Sequence, residues 1–130
     1  MTNSATVGNP PPHHALDANV LEELKQMGKA SGEDLLGQLA VMFVTDADAQ
    51  LIELHRALDL ADAPAVARSA HNLRGSSASL GASGLASLCG TLEVQSADGN
   101  LSNGESLLEA LESELELVHS EFASEVEAGH

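Results

Sequence analysis

One histidine near the middle of this 130-residue sequence has neighbours that could support chemistry. His71 lies in the stretch AHNLRGSSASLG, which runs from Ala70 to Gly81. Arg68 and Arg74 stand three residues before and after it, so on a helix both arginines can share its face. A neutral imidazole is a good nucleophile, and a phosphoryl group arriving on it would bring charge that Arg74 could neutralise. The pattern therefore favours a reversible phosphoramidate on His71.

Small residues follow this histidine at helical spacing, with Gly75 four residues and Ala78 seven residues later. A glycine in a helix interior costs about 0.8–1 kcal/mol relative to alanine. Either a neighbouring helix packs closely there, or a bulky group must approach the imidazole. Two of the five Lys and Arg residues of a very acidic chain flank His71, which favours the second explanation.

Composition limits the classes of protein that this chain can belong to. The formal net charge of -15 argues against binding to nucleic acid or to an anionic membrane surface. The hydrophobic fraction is 43% while aromatic residues make up 2%, so the core must be built from Leu, Ala, Val and Met, as in packed helices. The single cysteine, Cys89, excludes an internal disulfide and lies among apolar residues, where we expect it to be packed rather than reactive.

Helical periodicity extends over most of the chain, and no strand-like alternation is found. The inward face of the helix that carries His71 is predicted to comprise Val66, Ala70, Leu73, Ser77 and Leu80. Capping residues and breakers place five helices at Asp17 to Gly28, Ser31 to Leu60, Asp62 to Gly81, Ser83 to the SADGN segment, and Ser102 to about Val126. The expected fold is all-α: an antiparallel four-helix bundle with a short extra N-terminal helix.

The domain organisation predicted from the sequence is simple. Residues 1–15 are rich in Pro, Asn, Ser and Thr and read as a linker or tail, whereas residues 16–128 form one helical domain. The adjacent pair His13 and His14 is expected to be exposed rather than metal-binding. With no membrane-spanning stretch or signal peptide apparent, we expect a cytoplasmic location. The composition of this linker favours a module of a longer protein.

The stretch AHNLRGSSASLGA resembles the signature of histidine-containing phosphotransfer (HPt) domains of bacterial multistep phosphorelays, H-x-L-K-G-S-S/A-x-x-L-G. The segments LDANVLEELKQMG, LHRALDLADAPAV and LASLCGTLE resemble the flanking helices of that family, so the similarity covers roughly residues 16–122. The resemblance implies a four-helix bundle with a shorter accessory helix. It also implies that His71 accepts the phosphoryl group through Nε2, that Arg74 replaces the usual lysine, and that Gly75 provides clearance.

The same resemblance implies that the partners are response-regulator receiver domains, among them that of a hybrid sensor kinase. It leaves two alternatives open for this chain, a free-standing protein or the cytoplasmic C-terminal module of a membrane sensor kinase. The receiver contributes the aspartate and Mg²⁺, so no cofactor or metal is expected on this chain, which is expected to be a monomer. Arg68 could give electrostatic support. Glu93 stands where relatives often carry Glu or Gln, and it either orients the imidazole or is an exposed salt-bridge partner.

Other functions lack the residues that they require. The chain has no G-x-x-x-x-G-K-[ST] loop, so autonomous ATP-dependent kinase activity is not expected. His55 and His119 lack a comparable cluster of glycine and arginine. Glu116 and His119 have Glu-x-x-His spacing, but Leu115 and Val118 are expected on the core face of that helix. A non-catalytic helical scaffold that binds a partner protein remains the alternative, and in it His71 would be replaceable.

Overall fold

The computed structural model describes residues 15–128, with side chains to residue 126. Five helices and no strand make up this part of the chain, which confirms the all-α prediction. They are α1 (Ala18–Ser31), α2 (Leu35–Asp59), α3 (Ala63–Ser79), α4 (Ser83–Ala97) and α5 (Gly104–Ala128). The predicted linker, apart from Ala15, and the pair His13 and His14 lie outside the described residues.

The helices pack into a bundle around one apolar core. Helix α2 contacts α3 and α5, helix α4 contacts the same two helices, and α1 lies against α2. The core is mostly Leu, Ala and Val, with the rings of Phe43 and Phe122 stacked at a tilt, 6.0 Å between centroids. The predicted inward face of α3 is confirmed, because all five of its residues are buried: Val66, Ala70, Leu73, Ser77 and Leu80.

The boundary between α1 and α2 differs from the prediction. Helix α1 continues through Gly28 and ends at Gly32, which has the left-handed φ of 76° that glycine adopts readily. Gly28 is buried, and a Cβ there would lie 2.9 Å from the Glu33 carbonyl oxygen. Asp34 rather than Ser31 caps α2, since its carboxylate accepts a hydrogen bond from the Gly37 amide at 3.1 Å. The predicted helix start at Ser31 is therefore wrong.

The predicted caps of α4 and α5 also need correction. Ser83 is the first residue of α4 and follows an N-cap, Ala82, that offers no side-chain hydrogen bond. Helix α5 begins at Gly104, two residues after the predicted cap Ser102, whose hydroxyl instead donates to Asn100 Oδ1 at 2.7 Å. The Ser102 hydroxyl thus takes part in a local turn and does not cap α5.

The turn after α3 fixes the position of α1. The Asp17 amide donates to the Gly81 carbonyl at 2.9 Å. Gly81 has a φ of 75°, and a Cβ on it would lie 2.8 Å from the Cβ of Asp17. Only glycine satisfies both the backbone conformation and this close approach. Gly81, at the end of the helix that carries His71, therefore also joins α1 to the bundle.

Helix α2 is long and apolar enough to cross a membrane by length and composition, although none was expected from the sequence. Core helices of soluble proteins pass the same test. In this bundle Phe43 and Leu54 of α2 are buried, and Asp46 lies within the same apolar stretch, where it accepts a hydrogen bond from Ser76. Only 22% of the apolar stretch is buried in the bundle, so packing accounts for part of the apolar character of α2.

Candidate functional site

Helix α3 presents His71 to solvent because of how it begins and which face it buries. Asp62 caps the helix by accepting from the Ala65 amide at 3.2 Å, and Pro64 occupies the first turn, where its missing N–H has no cost. With Ala70 and Leu73 fully buried, the intervening His71 points outward. Its side chain is 61% exposed, so a partner can reach the imidazole.

Glu93 of α4 connects the histidine to an arginine. Its Oε2 lies 2.9 Å from His71 Nδ1, and its Oε1 accepts from Arg74 Nε at 2.8 Å. An Nη atom of Arg74 lies 3.3 Å from the same Nδ1. The structure therefore brings together three of the residues predicted for the site, from two helices, and only Arg74 and His71 are near each other in sequence.

The side chains around Glu93 change the pKa of its carboxyl group. Desolvation acts to raise the pKa of Glu93, but the hydrogen bonds with His71 and Arg74 and the electrostatic attraction of these two side chains outweigh it and hold that pKa below its usual range. Glu93 is thus ionised at neutral pH. A carboxylate beside Nδ1 favours the tautomer in which Nδ1 carries the proton.

The two nitrogens of His71 consequently differ. Nδ1 faces Glu93, whereas Nε2 has no hydrogen-bond partner among residues 15–126. When Nδ1 carries the proton, the lone pair is on Nε2, at the exposed edge of the ring. The arrangement therefore leaves the nucleophilic nitrogen accessible from outside the bundle.

The two arginines occupy different situations. Arg74 is ion-paired with Glu93, so its charge is already partly balanced by this carboxylate. Arg68 makes no hydrogen bond within the described part of the chain and lines a small hollow with His71, Asn72 and Glu93. Arg68 thus borders the site from the α3 side, with its guanidinium available.

Gly75 leaves open space beside the histidine. A Cβ at this position would meet no atom within 4 Å, other than the helix's own backbone. Close packing of a neighbouring helix therefore does not explain this glycine, and of the two explanations drawn from the sequence, clearance remains. Ser77, by contrast, is fully buried and donates to the Leu73 carbonyl at 2.7 Å, a packing role.

Gly90 of α4 also borders the site, although it was not among the residues predicted from the sequence. A Cβ there would lie 3.3 Å from Cδ of Arg74, so the aliphatic stem of the arginine lies across this glycine on its way to Glu93. The available signal was a glycine inside a helix, three residues before Glu93. It could not be interpreted without knowing that α3 and α4 are neighbours.

The remaining candidate side chains lie apart from this cluster. His55 Nε2 lies 3.0 Å from Glu112 Oε2 of α5, an exposed contact on another side of the bundle. His119 has a buried Nε2 without a hydrogen-bond partner in the structure. Desolvation raises the pKa of the Cys89 thiol to about 12, so this cysteine is packed and unreactive at neutral pH, as the sequence analysis expected.

The chain is similar to proteins of a known family. The crystal structure of histidine-containing phosphotransfer protein B (HptB) from Pseudomonas aeruginosa PAO1 is similar, with a TM-score of 0.80 and 32% sequence identity over 92% of this chain and 98% of that chain. A search of curated proteins found no significant match. The Hpt domain family model matches residues 38–121, which include His71, Arg74, Gly75 and Glu93. The chain therefore belongs to the Hpt domain family.

Proposed function

We propose that this protein is a phosphorelay intermediate that accepts a phosphoryl group on Nε2 of His71 from a receiver-domain aspartate and passes it to another receiver domain. The observation that carries the proposal is the pairing of His71 Nδ1 with Glu93, which leaves Nε2 exposed and nucleophilic. Membership of the Hpt domain family supports the same chemistry.

In the proposed reaction the Nε2 lone pair attacks the phosphorus atom of a phosphoaspartate. A P–N bond forms as the P–O bond to the aspartate breaks, and the aspartate leaves as a carboxylate. The Nδ1 proton stays in place, so the phosphorylated ring is cationic and Glu93 stabilises it. Transfer to the next receiver is the reverse of these steps.

The cations beside the ring act on the phosphoryl oxygens in this proposal. Arg68 approaches from the exposed side, and Arg74 contributes its remaining donors while its Nε holds Glu93 in place. Gly75 gives the donor domain room to approach. The Mg²⁺ that such a transfer uses is held by the receiver domain, and this chain binds no cofactor or metal in the proposal.

We also propose the finer architecture that was expected from the sequence. Helices α2 to α5 form an antiparallel four-helix bundle within the domain at residues 16–128, and α1 is the short accessory helix. The ring of contacts in which α2 and α4 each touch α3 and α5 supports this arrangement. The proposal treats the protein as a cytoplasmic monomer, either free-standing or a module of a hybrid sensor kinase joined through residues 1–15.

One experiment separates this function from that of a non-catalytic scaffold. The protein is incubated with receiver domains phosphorylated with radiolabelled acetyl phosphate, and acid-labile, base-stable phosphate on this chain is measured. We expect His71→Gln to abolish labelling and His55→Gln, the matched control on α2, to leave it unchanged. Labelling of His71→Gln at the wild-type level would refute the proposal and favour the scaffold.

A further inference from the structure

Helix α2 carries more exposed apolar surface than its packing explains. Only 22% of its apolar stretch is buried in the bundle. Val41 is 67% exposed and Met42 is 66% exposed, and no charged residue occurs from Leu35 to Thr45. Neighbouring large apolar side chains in contact with water mark a surface that another molecule covers.

These side chains border a groove that α2 forms with α5. Phe122, Ala123 and Val126 line it on the α5 side. The groove is open to solvent and has a volume of about 1010 Å³, which is room for several large side chains of a partner. We call it the α2–α5 groove and define it by Val41, Met42, Phe122, Ala123 and Val126.

The surroundings of the groove are negatively charged. Asp34 lines it, and no lysine or arginine does so among the described residues. Helix α5 has eight glutamates and no lysine or arginine, while the single cation of α2, Arg56, is paired with Glu53. A cationic partner would therefore be attracted to this side of the bundle.

Two acidic side chains beyond one end of the groove lack partners. Asp48 follows Thr45 by three residues on α2, and Glu116 precedes His119 by three residues on α5. Because Thr45 and His119 line the groove, both acids continue the faces that form it. Both are exposed, and neither makes a hydrogen bond or ion pair within residues 15–126. An apolar groove that ends at two free carboxylates suits a partner with both apolar and cationic side chains.

The groove lies on a different edge of the bundle from His71. Helix α3, which carries His71, packs against α2 and α4, whereas the groove is formed by α2 and α5. The hollow beside the imidazole is lined by Arg68 and Glu93 among others, and it shares no residue with the α2–α5 groove. A partner bound in the groove would therefore leave His71 open.

We propose that the α2–α5 groove binds a basic amphipathic helix of another protein. Apolar side chains of that helix cover Val41, Met42 and Ala123, and its lysines or arginines reach Asp48 and Glu116. Methionine suits such a surface because its flexible side chain adapts to the partner. The inference is independent of the proposed function, since no residue of the groove belongs to the His71 cluster. It adds a site at which a partner holds the protein while the histidine stays accessible.

Charge argues against other occupants of the groove. A second copy of this chain would bring a further net charge of -15 and the same acidic border, so the two copies would repel each other. An anionic membrane surface is repelled for the same reason. Residues 1–14 contain no lysine or arginine and so cannot pair with Asp48 or Glu116.

A model peptide tests the groove on the full-length protein. The probe is a fluorescein-labelled peptide of about 18 leucine and lysine residues, with the leucines on one face of the helix. A peptide of the same composition in shuffled order is the control for amphipathicity. Binding is measured by fluorescence anisotropy. Val41→Gln removes apolar surface from the groove, and Val94→Gln, at a position of α4 that is 65% exposed, is the matched control.

A pair of double variants tests the charges. Asp48→Asn with Glu116→Gln removes the two acids at the end of the groove. Asp59→Asn with Glu105→Gln removes the same charge from exposed positions of α2 and α5 that do not line the groove. Labelling of His71 by phosphoramidate, a small phosphoryl donor, is measured with and without bound peptide.

We expect Val41→Gln to weaken binding of the amphipathic peptide about five- to tenfold, the effect of losing one buried apolar contact. The double variant at Asp48 and Glu116 should weaken it about three- to tenfold at low salt and less at high salt. Val94→Gln and the control double variant should stay within about twofold of wild type. Bound peptide should leave the labelling of His71 unchanged.

Several results would overturn the inference. These are wild-type binding weaker than about 100 µM, equal binding of the shuffled peptide, or equal losses in Val41→Gln and Val94→Gln. Self-association of the wild-type protein that Val41→Gln abolishes would assign the groove to a second copy instead. Loss of His71 labelling in the presence of peptide would show that the groove is not separate from the site. Failure of any receiver to phosphorylate His71 would refute the proposed function and leave this inference standing.

Discussion

Replacing Glu93 with alanine tests how the histidine is prepared for attack. The change removes the acceptor at 2.9 Å from His71 Nδ1 and the partner of Arg74 Nε at 2.8 Å. All three side chains are partly exposed, by 61%, 45% and 25% for His71, Arg74 and Glu93. Partly exposed ion pairs of this kind contribute about 0.2–1 kcal/mol each, so Glu93→Ala should lower the free energy of unfolding by about 1 kcal/mol.

The tautomer of His71 should respond more specifically than stability does. If the Nδ1 contact is worth about 0.5–1 kcal/mol, its loss shifts the ratio of the two neutral tautomers about two- to fivefold away from the form with a free Nε2 lone pair. Nitrogen-15 NMR of the imidazole reports this ratio directly. We expect transfer from a phosphorylated receiver to slow by at least the same factor, since Glu93 also stabilises the cationic phosphorylated ring.

Two further variants sharpen the Glu93 test. Glu93→Gln keeps an oxygen acceptor for Nδ1–H but loses the charge, so the tautomer ratio should stay near wild type while transfer is slowed. Glu112→Ala breaks the other carboxylate–imidazole pair, with His55, and should affect neither readout. An unchanged tautomer ratio and wild-type transfer in Glu93→Ala would show that Glu93 is only an exposed salt-bridge partner.

Further outcomes concern stability and access to the site. Gly75→Ala should raise the free energy of unfolding by about 0.8–1 kcal/mol in chemical denaturation, since its Cβ meets no atom, whereas Gly75→Leu should fold but slow receiver transfer at least tenfold. Leu73→Ala should lower that free energy by about 2–5 kcal/mol because the side chain is fully buried, and unchanged stability would contradict the described core. Gly81→Ala should lower the melting temperature, because Gly81 has a φ of 75° and its added Cβ would meet Asp17 at 2.8 Å. The lowered pKa of Glu93 in the folded protein gives stability that is present above the pKa of an unfolded glutamate and is lost as pH falls through the folded value. The difference in free energy of unfolding between wild type and Glu93→Gln should therefore shrink as pH falls below about 4.3. A difference that is independent of pH would count against the ion pair.

Helix ends were the least reliable part of the sequence-based prediction. Ser31 and Asp34 both suit a cap, and only the fold shows that α1 runs on to Gly32 so that Asp34 caps α2. Ser102 likewise has the right spacing from Glu105, but its hydroxyl is taken by Asn100. Several polar residues near a turn can satisfy the same backbone groups, so the local sequence does not decide which one does.

The sequence by itself determined the helical class, the buried face of α3 and the exposure of His71. These follow from the spacing of apolar residues along one helix, which involves only local geometry. It also placed Arg68, Arg74 and Gly75 near the histidine, since they lie within a turn or so of it.

The tertiary structure alone decided which nitrogen of His71 is free and what holds Arg74. Glu93 is 22 residues from His71, and its carboxylate reaches both side chains only because α3 and α4 pack side by side after the turn at Gly81. The same packing sets Gly90 beneath the Arg74 stem and places Val94 at the border of the site. Periodicity fixes the face that a residue occupies on its own helix, whereas contacts between helices depend on the turn and on how the two surfaces fit together.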